Sequence, residues 1–224
     1  GESRSAGELV KKFNRRCRTA AGLRPAMAPP ASAAAEAFRA VREIASESTS
    51  AAELARTGSE RLDEIVTGRE TAPIEASRFA AERIPEGARV VTVSKSFSVL
   101  AALCAASERI SLLTVGESRP TQEGRESARL AASFGIQTRL VTDAAAAGAL
   151  RDADLFLSGA DALMASGEAV NKTGTFALCA AAHHLRRPTL LVASTDKIAP
   201  EGTSVNPREM DPDALGGAIP GVQR

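Results

Sequence analysis

The 224-residue sequence contains no tryptophan and no tyrosine, and it has only seven phenylalanines. Platforms that stack nucleobases need aromatic rings, so this scarcity argues against a protein that binds single-stranded nucleic acid. The charge is also nearly balanced, with 28 basic and 27 acidic residues. Nucleic acids and membrane surfaces both attract clustered positive charge. We therefore expect neither nucleic acid nor a membrane as a partner.

The cysteines are few and far apart, at Cys17, Cys104 and Cys179. Their spacing fits neither a zinc site nor a disulfide framework, so we expect reduced thiols and no metal. No stretch approaches the roughly 20 apolar residues of a membrane helix. The start, GESRSAGELVKK, lacks the apolar core of a signal peptide. The sequence predicts a cytoplasmic protein.

The period of the apolar residues changes within residues 83–90, where Pro85 and Gly87 interrupt the pattern. Before this point, apolar residues recur at helical spacing in three segments, at 9–17, 37–44 and 54–65. With 44% hydrophobic residues, the chain has ample material for a core. We predict an N-terminal helical domain over residues 1–85.

After residue 85, short apolar runs alternate with alanine-rich helical stretches. The predicted strands are 89–93, 110–115, 137–142, 154–158 and 189–194, and the predicted helices are 99–106, 123–134, 144–150 and 175–185. Strict alternation implies right-handed crossovers and a parallel sheet whose strands are buried on both faces. We therefore predict an α/β fold, with a Rossmann-like, doubly wound domain over residues 86–224.

Polar side chains follow the predicted strands, and in such sheets ligands bind beyond the carboxyl ends of the strands. The polar residues expected to line this crevice are Ser94, Glu117, Arg119, Asp161 and Lys197. The segment NKTGT opens the last predicted helix, whose free backbone amides suit an anion. The implied ligand is small and phosphorylated. Because neither G-x-G-x-x-G nor a Walker glycine loop is present, we expect no nicotinamide and no other cofactor.

Several separated motifs resemble one family. They are SGADALMASGEAVNKTGT, with GESRPTQEGRESA upstream, STDKIAP downstream and a weaker match in LRPAMAP. The family joins the α, β and δ regulatory subunits of translation initiation factor 2B to two sugar-phosphate isomerases. Those isomerases act on methylthioribose 1-phosphate and ribose 1,5-bisphosphate. The resemblance implies a phosphorylated sugar or nucleotide as ligand, and a homodimer formed through the α/β domain.

The resemblance also implies roles for individual residues. Asp161 matches the catalytic acid of the G-A-D motif. Asn171 and Lys172 match the pair that holds the sugar phosphate, and Arg24 matches an arginine that contacts phosphate. Glu123 stands where the isomerases can have glutamine. The remaining expected substrate-binding residues are Arg4, Ser96, Arg119 and Lys197.

One position departs from the isomerase pattern, since Ser94 stands where the isomerases have a cysteine. A thiol with a pKa of about 8.5 can exchange protons near neutral pH, whereas a serine hydroxyl cannot do so without a neighbouring base. Non-catalytic relatives resemble this chain more closely here. We therefore favour a regulatory, factor 2B-related binding protein. The alternative is an aldose–ketose isomerase in which Asp161 and Ser94 are the catalytic residues.

Some of these residues also have structural interpretations. Ser94, Ser96 and Asp161 could each cap the segment that follows, and Pro120 could be the first residue of a helix. Their common place at strand ends favours the functional interpretation.

Overall fold

The computed structural model describes residues 5–23 and 27–202. Their helices and strands are, in chain order, α1 (Ala6–Ala21), α2 (Ala28–Glu47), α3 (Ala51–Glu82), β1 (Ala88–Val93), α4 (Phe97–Ala105), β2 (Ile110–Gly116), α5 (Glu123–Ser133), β3 (Thr138–Val141), α6 (Asp143–Ala149), β4 (Leu155–Gly159), β5 (Ala162–Leu163), β6 (Ala169–Val170), α7 (Thr175–His184) and β7 (Thr189–Val192). The strands and helices predicted after residue 85 lie within a few residues of these bounds, whereas the three helical segments predicted before it are much shorter than α1, α2 and α3.

The described residues form two compact units. The helical unit contains residues 5–23 and 27–73, the segment Asp161–Val170 and residues 194–202. The sheet unit contains Ile74–Ala160 and Asn171–Ala193. The predicted division into domains 1–85 and 86–224 stays a prediction.

The sheet unit is built on five parallel strands in the order β3-β2-β1-β4-β7. The chain runs outward from β1 to β3 and then returns to place β4 on the other side of β1. This reversal makes the gap between β1 and β4 the switch point, where ligands of open α/β sheets bind. The predicted fold class, helices followed by a parallel Rossmann-like sheet, is confirmed.

The core of the sheet unit lies on both faces of the sheet, because neighbouring residues of a strand point to opposite sides. Val90 packs with the end of α3, α4 and α5 on one face. Val91 packs with α6 and α7 on the other. The full burial of side chains such as Leu113 and Phe156 contributes about 1.5 to 3 kcal/mol each.

The two outer strands differ from the prediction that every strand is buried on both faces. β1 and β4 are buried along nearly their whole length. In β3 and β7, by contrast, residues are partly or fully exposed at most positions. The prediction was wrong for these two because they form the edges of the sheet, and the strand order is not visible in the apolar pattern.

The helical unit contains α1, α2, most of α3 and the antiparallel pair of β5 with β6. Pro29 and Pro30 lie in the first turn of α2, where the missing N–H costs no intrahelical hydrogen bond. Arg69 of α3 joins α2 by donating to Glu36 at 2.8 Å and to the Pro29 carbonyl at 3.1 Å. Among the helices of the described residues, we find none with the length and apolar character needed to cross a membrane.

Candidate functional site

The carboxyl ends of β1 and β4 approach each other closely at the switch point. A Cβ atom at Gly159, the last residue of β4, would lie only 2.8 Å from Ser96 Oγ. Glycine therefore allows the loop after β1 to lie against the end of β4. Ser96 is the N-cap of α4, and its Oγ accepts a hydrogen bond from the Val99 amide at 3.5 Å. Ser96 thus caps α4, as the structural interpretation of this residue predicts.

Ser94 follows β1 and has a φ of 70°, a left-handed backbone conformation that residues other than glycine rarely adopt. Two hydrogen bonds hold it there. The Ser94 amide donates to Ser118 Oγ at 2.7 Å, and Ser127 Oγ donates to the Ser94 carbonyl at 2.9 Å. Backbone strain of this kind costs on the order of 1 to 3 kcal/mol and persists where the surroundings enforce it, often at functional sites.

The hydroxyl of Ser94 belongs to a group of four polar side chains, which we call the carboxylate cluster: Ser94, Thr121, Glu123 and Lys172. Ser94 Oγ donates to Glu123 Oε1 at 2.5 Å. Thr121 Oγ1 donates to Glu123 Oε2 at 2.5 Å, and Lys172 Nζ donates to the same Oε2 at 3.0 Å. Lys172 Nζ also donates to Thr121 Oγ1 at 2.9 Å. The loops after β1 and β2 and the segment before α7 thus meet at one carboxylate.

The electrostatics of the cluster keep this carboxylate charged. Burial raises the pKa of Glu123, but the hydrogen bonds from Ser94 and Thr121 and the ammonium of Lys172 together outweigh it and hold the pKa below its ordinary value. The Lys172 and Glu123 side chains are only 20% and 26% exposed, so solvent screens their ion pair less than it would at the surface.

The lowered pKa of Glu123 predicts a pH dependence of stability. A carboxyl group whose pKa is lower in the folded state stabilises the protein above its unfolded-state pKa, and this contribution is lost as the pH falls through the folded-state pKa. We expect the difference in unfolding free energy between wild type and Glu123→Gln to be constant near neutral pH and to shrink below about pH 4.5. Urea denaturation at a series of pH values measures this difference. A difference that grows on acidification would contradict the assignment.

The loop after β2 is fixed by Asp143, the first residue of α6. Its Oδ1 and Oδ2 accept hydrogen bonds from the amides of Ser118 and Arg119, both at 2.7 Å. The Arg119 side chain is exposed. Because α5 begins at Glu123, the interpretation of Pro120 as the first residue of a helix was wrong.

Three residues that build this region were absent from the expected site residues: Ser118, Thr121 and Asp143. Each lies in a segment directly after β2 or β3, so the strand-end rule that selected Ser94 applied to them as well. The rule does not show that these three residues hold other site residues in place. That function depends on hydrogen bonds between loops that are far apart in the sequence.

Asn171 connects the end of β4 to the start of α7. Its Nδ2 donates to Ser158 Oγ at 3.0 Å and to Thr175 Oγ1 at 2.9 Å. Gly174, with φ at 98°, turns the chain into α7. Lys172 thus lies just before the N-terminal turn of α7, where backbone amides without intrahelical partners favour an anion.

Asp161 and Lys197 belong to the helical unit. The Asp161 amide donates to the Val170 carbonyl at 2.7 Å, and its carbonyl accepts from the Ala28 amide at 2.9 Å. Lys197 ends a short 3-10 turn, and the next residue, Ile198, pairs with Leu163. The backbone of both residues is therefore held by its neighbours.

The expected site residues are thus divided among three parts of the chain. Ser94, Ser96, Arg119, Glu123, Asn171 and Lys172 are in the sheet unit, and Asp161 and Lys197 are in the helical unit. Arg4 and Arg24 lie outside the described residues. Within the described residues, no group of three histidine, cysteine, aspartate or glutamate side chains could hold a metal ion.

Comparison with known proteins identifies the family. The model of the Initiation factor 2 subunit family matches residues 2–216. The chain belongs to this family. The ribose 1,5-bisphosphate isomerase of Haloferax volcanii is 33% identical over 140 residues, which are 62% of this chain and 43% of that protein. The methylthioribose-1-phosphate isomerase of Gemmatimonas aurantiaca is 37% identical over 160 residues, which are 62% of this chain and 45% of that protein.

A solved structure supports the same assignment. The translation initiation factor eIF-2B of Pyrococcus horikoshii OT3 superposes with a TM-score of 0.65 and 26% identity, covering 94% of this chain and 81% of that one. The resemblance read from the motifs is confirmed. The chain spans about half the length of the curated relatives it matches, at 43% and 45% for the two isomerases above.

Proposed function

We propose that this protein is a sugar-phosphate isomerase that acts on a ribose 1-phosphate-type substrate, with ribose 1,5-bisphosphate or methylthioribose 1-phosphate as the candidates. This reverses the preference for a non-catalytic protein drawn from the sequence. The observation that carries the proposal is the 2.5 Å hydrogen bond from Ser94 Oγ to Glu123, because the sequence argument rested on the lack of a base beside the serine. Relatives named as isomerases of both substrates support it.

The proposed roles follow the family motifs. Asp161 acts as an acid/base group, and Asn171 and Lys172 hold the sugar phosphate. Two of the three N–H groups of Lys172 already donate to Glu123 and Thr121, which leaves the third for a phosphate oxygen. The other residues proposed to contact the substrate are Arg4, Arg24, Ser96, Arg119 and Lys197.

Removal of the Lys172 charge is expected to weaken substrate binding. A charge-assisted hydrogen bond contributes about 1.5 to 3 kcal/mol, so Lys172→Ala should raise the Kd for ribose 1,5-bisphosphate roughly tenfold or more. The matched control is Lys95→Ala, which removes a lysine of the same unit whose partner is the exposed Glu126. Calorimetric titration measures both. If both variants weaken substrate binding equally, the cause is a general loss of positive charge. That result would contradict a direct contact between Lys172 and the phosphate.

A second candidate function is regulatory binding of a phosphorylated sugar or nucleotide without turnover, in the manner of the factor 2B subunits. Ser94 favours it, because a hydroxyl occupies the position at which the resembling isomerases have a cysteine. Homodimerisation through the α/β domain belongs to both proposals, and sedimentation equilibrium tests it.

The test of the proposed function is turnover by the wild-type protein. Each of the two substrates is incubated with the protein, and the ketose product is followed by ³¹P nuclear magnetic resonance. A thermal-shift assay with the same compounds measures binding separately, since a ligand at 100 times its Kd stabilises by about 2.7 kcal/mol. Turnover of either substrate supports the isomerase, and binding without turnover supports the regulatory protein. If neither compound binds, the isomerase is excluded, and the regulatory protein would require a different phosphorylated ligand such as a nucleotide.

A further inference from the structure

The carboxylate cluster poses a chemical question that the proposed function leaves open. Isomerisation needs a group that removes a proton from C2 of the sugar and returns it to C1. Asp161 supplies one acid/base group, and a second is required for the carbon-bound proton. In the position of the cysteine this chain has a hydroxyl, whose proton is donated to Glu123.

We propose that the Glu123 carboxylate, held by Ser94 and Lys172, is the group that transfers the proton between C2 and C1. This inference rests on the proposed isomerase function. In it, Ser94 is a positioning residue, and Glu123 is the catalytic one. The catalytic role that the isomerase alternative gave to Ser94 therefore passes to Glu123, which stands where the isomerases can have glutamine.

The geometry favours Glu123 over Ser94 as the base. The hydroxyl proton of Ser94 already points to the carboxylate, and a neutral alcohol is a far weaker base than a carboxylate. Glu123 needs no prior loss of a proton, because its neighbours keep it ionised. The side chain is 26% exposed at the carboxyl edge of the sheet, so a ligand can reach it.

The other members of the cluster position the carboxylate and respond to substrate. Ser94 holds Oε1, while Thr121 and Lys172 hold Oε2, so both oxygens are fixed. The Lys172 ammonium is well placed to stabilise negative charge that develops on a substrate oxygen. When that oxygen replaces Glu123 as the partner of Lys172, the carboxylate loses a stabilising charge and becomes a stronger base.

The proposed steps balance in atoms and electrons. As the bond from C1 to the ring oxygen breaks, that oxygen takes a proton from Asp161. The C2–H bond breaks, its proton goes to Glu123, and its electron pair forms the C1=C2 double bond of an enol. Glu123 then returns the proton to C1, and the C2 hydroxyl returns a proton to Asp161 as C2 becomes the carbonyl. No oxidant or reductant is consumed.

Glu123→Gln is the direct test, because glutamine keeps the shape of the side chain and one acceptor oxygen but cannot accept the proton. We expect kcat on the substrate that wild type turns over to fall by about 10²- to 10⁴-fold, with a Kd changed by less than about threefold. The matched control is Glu126→Gln on the same helix, where an exposed carboxylate pairs with Lys95 at 2.6 Å. Its kcat should stay within about twofold of wild type.

Two further measurements separate a catalytic role from a structural one. Ser94→Ala should lower kcat much less than Glu123→Gln, because it removes only a hydrogen bond to the base. With substrate deuterated at C2, wild type should show a primary isotope effect and should lose part of the label to water. If Glu123→Gln does not fold, Glu123→Asp keeps the charge but withdraws the carboxylate by one methylene, and its kcat should fall at least about tenfold.

The outcomes distinguish this inference from the proposed function. If wild type turns over substrate and Glu123→Gln does so equally well, the role of Glu123 is overturned and the isomerase stands. If Ser94→Ala is as damaging as Glu123→Gln, Ser94 is the catalytic group. If wild type binds both substrates but converts neither, the proposed function itself is overturned.

Discussion

Replacing Asp161 by asparagine is expected to lower kcat by about 10²- to 10⁴-fold, the contribution of one acid/base group. In the proposed mechanism, Asp161 donates a proton to the ring oxygen and recovers one from the C2 hydroxyl, and an amide can do neither. The backbone hydrogen bonds of Asp161 to Val170 and Ala28 do not involve its side chain. These backbone contacts are available to asparagine as well, and the melting temperature reports whether the fold is kept. Steady-state kinetics with the substrate that wild type converts, together with a thermal melt, measure both effects.

Asp63→Asn is the control for this experiment, since Asp63 is an exposed residue of α3 in the same unit. Its kcat should equal that of wild type within about twofold. An Asp161→Asn enzyme that retains wild-type kcat would remove Asp161 from the mechanism and would leave the proton at the ring oxygen without a donor.

Gly124→Ala is expected to destabilise the protein by about 3 kcal/mol, at the upper end of the cost of overpacking. A Cβ atom at Gly124 would lie 1.9 Å from the Gly116 carbonyl oxygen and 3.0 Å from the Glu117 carbonyl carbon. These are backbone atoms at the end of β2, so no side-chain rotation relieves the clash. Either the strand end or the start of α5 must move, and Glu123 moves with the latter. We therefore expect both the unfolding free energy and kcat to fall.

Gly148→Ala provides the matched comparison, because Gly148 lies in α6 and a Cβ atom there would meet nothing within 4 Å. Alanine favours helix over glycine by about 0.5 to 1 kcal/mol, so this variant should be slightly more stable than wild type. Urea denaturation measures both variants. A Gly124→Ala protein as stable as wild type would mean that α5 does not approach β2 as closely as described.

The alternation of helices and strands was predictable from the sequence because apolar residues set it locally. The valines of β1 and the alanines of α4 and α7 have the right period and the right neighbours. The pair of two-residue strands β5 and β6 was not predicted, since two residues cannot show a period. The exposure of β3 and β7 was missed because it depends on the order of strands in the sheet.

Most members of the candidate site were predictable from the sequence, but Thr121 and the contacts among the members were not. The rule that ligands bind at the carboxyl ends of strands selected Ser94, and the family motifs selected Glu123, Asn171 and Lys172. The hydrogen bond between Ser94 and Glu123 joins residues 29 positions apart in the chain. It depends on the crossover through α4 and on the left-handed conformation of Ser94, and neither is encoded in a local pattern. The sequence argument, that a serine hydroxyl needs a neighbouring base, could not show for this reason that Glu123 contacts Ser94.

The most direct measurement is the reaction of wild-type protein with ribose 1,5-bisphosphate and with methylthioribose 1-phosphate in D₂O, followed by ¹H and ³¹P nuclear magnetic resonance. A base that takes the C2 proton and exchanges it with solvent leaves deuterium at C1 of the product. We predict that at least one substrate gives a ketose phosphate that carries deuterium at C1, and that Glu123→Gln forms none of it in the same time. Substrate that binds but stays unchanged would contradict the account, and so would a product that retains all of its original C2 hydrogen.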